Sequence, residues 1–195
     1  MPVNLLETVQ SQLGYPELQK MDPNKQVLKK ENNFPDEHLF SQAAIPGILT
    51  ALYMYSRSDD GAENILHGTS TAHWTDVIFG DNKKAVLQKI AGYSSYSKEN
   101  AEIKMDRIAV DAVNTIQKNL PPEATIHDVK KILADQSSHV LLYLPADLQM
   151  GEMLNENTLD DPTNKMEGPV SSMMHVIGNQ FSDNGVKEED NYDKS

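Results

Sequence analysis

The chain contains no cysteine, so disulfides, thiolate nucleophiles, iron–sulfur clusters and cysteine-ligated zinc are all excluded. Aromatic residues are scarce too, at 6% with one tryptophan, and the core has to be built from aliphatic and methionine side chains. Positive charge is thin: 17 Lys and Arg stand against 29 Asp and Glu, a formal charge of −12. Lys29-Lys30, Lys83-Lys84 and Lys130-Lys131 are isolated pairs that make no stripe along a phosphate backbone, so no nucleic acid is expected as a partner. Long hydrophobic runs are missing as well. The most apolar window, 43–55, is too short to span a bilayer and holds Pro46 and Gly47, which reads as a buried core helix and predicts no membrane partner. The opening MPVNLLETVQSQLG lacks a basic start, a continuous apolar run and a small-residue cleavage site, and a cytoplasmic location is the default expectation.

What the sequence does contain is helix punctuation without strand alternation. Asn4 with Glu7, and Asp60 with Glu63, have capping-box spacing ahead of apolar residues. Pro16 and Pro35 sit where a first helical turn tolerates a missing N–H. The clearest element covers 97–120, where Ala101, Met105, Ile108, Ala109, Ala112, Val113 and Ile116 repeat with helical spacing and Pro121-Pro122 ends the run. A second long helix covers 36–57, bent at Pro46, and these two should form the centre of the bundle. Shorter helices are expected at 71–79, 82–91, 125–143 and 145–154, with caps at Ser70, Asp81, Thr125 and Leu144. Residues 21–33 read as a polar loop or frayed helix.

The expected fold class is therefore all-α: an irregular multi-helix bundle over 1–154, a long polar connector plus C-terminal amphipathic helix over 155–181, and a disordered acidic tail over 182–195. From Glu152 onward there are ten acidic and three basic residues, which puts more than half of the net charge in this appendage. Residues 3–57 and 72–120 also share an order of short helix, Gly-containing turn, polar segment and long striped helix, an echo of pattern and not of residue identity.

Residues 77–120 place a Phe79-Gly80 turn, a short helix ending at Ala91-Gly92, a serine-rich cap at Ser94, Ser95 and Ser97, and a long apolar helix in succession. With the opening LLETVQSQLG, this order resembles the YidB-like family of small bacterial helical proteins over the first 120 residues. The chain lacks that family's glycine-rich stretches and adds a region from Thr125. The resemblance implies a helical bundle and carries no catalytic or ligand-binding residues.

No motif specifies a reaction. Glu63 with His67, and Asp135 with His139, put a carboxylate and an imidazole on one helix face. A metal would need further ligands, and no H-E-x-x-H spacing supplies them; a surface contact is the simpler reading. His73-Trp74 could be a ligand-stacking pair, against the plainer expectation that Trp74 anchors its helix to the core. Neither a G-x-S-x-G elbow nor a phosphate-cradling glycine loop occurs, and no cofactor is expected. In the connector, Asp160, Asp161, Thr163, Asn164 and Glu167 concentrate oxygen donors of the kind calcium takes, although Pro162 breaks the EF-hand pattern and Lys165 offsets the charge.

The last helix carries Met173, Met174, Ile177 and Phe181 in a stripe that either folds back or docks on a partner. Folding back is the plainer expectation, since an exposed stripe of this size invites aggregation. Because every strong signal in the sequence concerns packing and none concerns chemistry, the leading reading is a cytoplasmic helical interaction or scaffold protein working through a protein partner or a homo-oligomer. The competing reading is an enzyme or a small-ligand or metal-binding protein, with histidines and carboxylates meeting in a pocket between helices.

Overall fold

The computed structural model describes residues 3–21, 34–68 and 73–153. Residues 22–33 of the polar loop expected at 21–33, the cap at Ser70 and the connector, C-terminal helix and acidic tail lie outside them. The helices are α1 (Leu5–Leu13), α2 (Asp36–Ser56), α3 (Asp59–His67), α4 (Trp74–Phe79), α5 (Lys83–Ser94), α6 (Lys98–Asn119), α7 (Ile126–Leu141) and the short α8 (Met150–Met153). They pack as an irregular all-α bundle with no strand among the described residues. None of the described helices is long and apolar enough to cross a membrane.

Local chemistry explains several helix ends. The Asn4 side chain accepts the Glu7 N–H, and Gly14 closes α1 in the left-handed region at φ 72°. The Ser97 hydroxyl accepts the Asn100 N–H to start α6. At α7, Asp128 accepts hydrogen bonds from the Thr125 N–H and hydroxyl, both 2.8 Å.

Several expected boundaries move, some for local reasons and some for reasons that lie outside the local sequence. α3 starts at Asp59, with Ser58 and not Asp60 as its cap; the Ser58 hydroxyl accepts the Gly61 N–H at 3.0 Å. The corner between α2 and α3 is so tight that a Cβ on Gly61 would lie 2.0 Å from the Tyr55 carbonyl oxygen, which only glycine permits. α4 begins at Trp74, after His73, and Asp81 lies within a 3-10 turn (Gly80–Asn82) that leads into α5. The helix expected at 145–154 is broken into a 3-10 turn (Ala146–Leu148) and α8 by Gln149, which adopts φ 48°. The Lys89 ammonium fixes that break by donating to the Leu148 carbonyl at 3.1 Å and the Gln149 side-chain oxygen at 3.0 Å. Pro16 opens no helix: residues 15–21 are irregular.

α2 is the centre. Fourteen of its 21 residues are buried, so it lacks the single apolar stripe of a surface helix and is covered on all sides; α1, α3, α4, α5, α6 and α7 pack around it. Pro46 withholds one backbone N–H, yet the helix runs on to Ser56. By contrast, α6 buries one face only, made of the residues that the apolar spacing picked out together with Thr115.

A fully buried polar side chain on α2 explains residues 15–21. Gln42 accepts the Gln19 N–H at 2.8 Å and donates to the Gln19 carbonyl at 2.9 Å and the Tyr143 carbonyl at 2.8 Å. One amide thus satisfies backbone that would otherwise be helical or wet, while the Met21 N–H donates to the Leu142 carbonyl at 2.7 Å.

Three outcomes follow. Gln42→Met keeps the volume but orphans the Gln19 and Tyr143 backbone groups, and should cost about 2–4 kcal/mol in urea denaturation. Gly61→Ala should destabilise by at least about 2 kcal/mol because the Tyr55 carbonyl must move. Gly47→Ala, whose new Cβ meets only Ile90 and Met150 at 3.8–3.9 Å, should be neutral or stabilise by up to about 1 kcal/mol in the same assay.

The Thr125 hydrogen bonds hold the Asp128 carboxyl below its ordinary value. Because the folded value is the lower one, this contribution is present above the ordinary carboxylate range and is lost as pH falls through the folded value. Asp128→Asn should therefore flatten the decline of Tm at the acid end, measured between about pH 5 and pH 2.

Candidate functional site

The five described histidines are dispersed. His38 stands in the first turn of α2, edge-on to Phe34 with ring centroids 4.5 Å apart, and burial pulls its imidazole below the usual value. His67 ends α3, His73 precedes α4, and His127 and His139 lie at opposite ends of α7. Among the described residues, no three His, Asp or Glu side chains are grouped to hold a metal ion. Glu63 and His67 are both exposed on α3. Asp135 turns toward Lys131 at 2.9 Å, and His139 toward α1, where its Nε2 lies 3.3 Å from the Asn4 amide. The carboxylate–imidazole contact expected on α7 does not form, because each member has a closer partner.

The structure also separates His73 from Trp74. Trp74 is 8% exposed and belongs to the core, whereas the His73 side chain is 60% exposed and lies 3.3 Å from Asp106 on α6. Asp106 has a structural task. His73 sits at the N-cap of α4 and supplies no capping bond, so Asp106 accepts the Thr75 N–H at 3.2 Å and the Thr75 hydroxyl at 3.3 Å in its place.

Next to it, the Lys83 ammonium bridges Asp76 at 2.5 Å and Glu102 at 2.6 Å. Burial opposes its charge, but the two carboxylate hydrogen bonds outweigh that and raise its pKa. These carboxylates are thus engaged in tying α4 and α5 to α6.

A second cluster joins α2 and α6 to the stretch after α1 and the link before α6. The Lys104 ammonium lies over the Tyr15 and Tyr96 rings, 5.9 and 5.3 Å from their centroids, and 3.9 Å from Glu37. Tyr15 is pushed up to about 12 by burial first, and then by the Glu37 carboxylate and Tyr96. Between α1, α2 and α7 an apolar cavity of about 10 Å³, bordered by Leu5, Leu49, Thr50, Leu133 and Val140, has room for about one water molecule.

The least satisfied surface is the outward side of α6. Ile103 is 69% exposed and Val110 37%. Seven residues apart, they stand above one another on the helix, with exposed Arg107 between them and Asn114 beyond. Sequence reading missed this pair because the stronger stripe at 101, 105, 108, 109, 112, 113 and 116 drew the apolar face; a helical projection puts 103 and 110 among Arg107 and Asn114. Leu142, after α7, is also exposed. Asp160, Asp161 and Glu167, the candidate cation ligands, and the candidate partner-binding stripe of Met173, Met174, Ile177 and Phe181 lie outside the described residues.

Comparison with family models, curated proteins and solved structures finds no match.

Asp106→Ala should lower stability by about 1–2 kcal/mol through loss of the surrogate cap, whereas His73→Ala should leave the thermal melt nearly unchanged. Equal losses in the two variants would assign the stabilisation to the imidazole contact and not to the cap.

Proposed function

We propose that the chain is a helical interaction protein that acts through surface contacts, with a protein partner or with further copies of itself. The observation that supports this reading is the outward side of α6, where Ile103 and Val110 are presented in register around Arg107. Apolar side chains that leave a well-packed bundle at heptad spacing suit contact with another helix. The stripe of Met173, Met174, Ile177 and Phe181 is the second candidate contact surface, proposed on sequence spacing alone. The YidB-like resemblance is compatible with this proposal, since it implies a helical bundle with no reaction attached.

The test is a double variant, Ile103→Glu with Val110→Glu, compared with the parent by light scattering over a concentration series and by affinity capture. Stability should change by less than about 0.5 kcal/mol per site, while association falls at least tenfold. Undiminished association would rule out α6 as the contact surface. A parallel deletion of residues 168–195 examines the stripe: an unchanged melt with lost capture supports an interaction role, and a large loss of thermal stability assigns the stripe to packing.

A further inference from the structure

No further inference is drawn: the strongest candidate, the outward face of α6 around Ile103, Arg107 and Val110, belongs to the surface already described, and nothing in the structure shows what covers it.

Discussion

The arrangement depends on one buried amide. Gln42 lies fully buried on a helix that is itself covered on all sides, and a primary amide in that position is tolerable only when its donors and acceptor are met. It meets them by binding both polar groups of Gln19 and the carbonyl of Tyr143. Two segments distant in sequence, the irregular stretch after α1 and the end of α7, are thereby held against the same point of α2. The irregular backbone at 15–21 is thus compensated by a side chain, and Leu18 can enter the core beside it.

The same economy appears at several helix ends that lack their own cap. Asp106 of α6 serves the start of α4. Gln117, also on α6, donates to the Ile65 carbonyl at 2.8 Å and so serves the end of α3, while Lys89 of α5 serves the turn before α8. Backbone groups left over at helix termini have to be satisfied somewhere, and here neighbouring helices do much of it. Helices as short as α3, α4 and α8 would be marginal alone, and these crossings tie α3 and α4 to α6 and the turn before α8 to α5. The carboxylates and amides that resemble a polar site are in this way already engaged.

This division explains what was legible in the sequence. The all-α class, the long helices α2 and α6, and the starts of α1, α6 and α7 follow from spacing and from caps within four residues, and the structure bears them out. What escaped was non-local. Pro16 looked like a helix opener because nothing nearby announces that Gln42 will take the Gln19 backbone. Asp60 looked like the cap of α3 because the tight approach to Tyr55, and so the role of Gly61, exists only once α2 and α3 are folded. α2 and α6 looked equally central, yet α2 is covered all round and α6 keeps an outward side. Of the site residues, the pair of Asp135 with His139 was legible as spacing and illegible as a contact, since Lys131 and Asn4 take the two side chains, while Glu63 and His67 share an exposed face of α3. Ile103 and Val110 were readable in principle from a helical projection.

The central claim is that α2, covered on all sides, is the last element to open. Amide hydrogen exchange on the intact chain tests it directly, because the slowest amides report the free energy of global unfolding and looser elements exchange through smaller openings. The buried amides of residues 40–52 should form the slowest class and shift together with global stability as denaturant is added. Exchange of these amides as fast as, or faster than, those of α4 and the outward side of α6 would contradict the account.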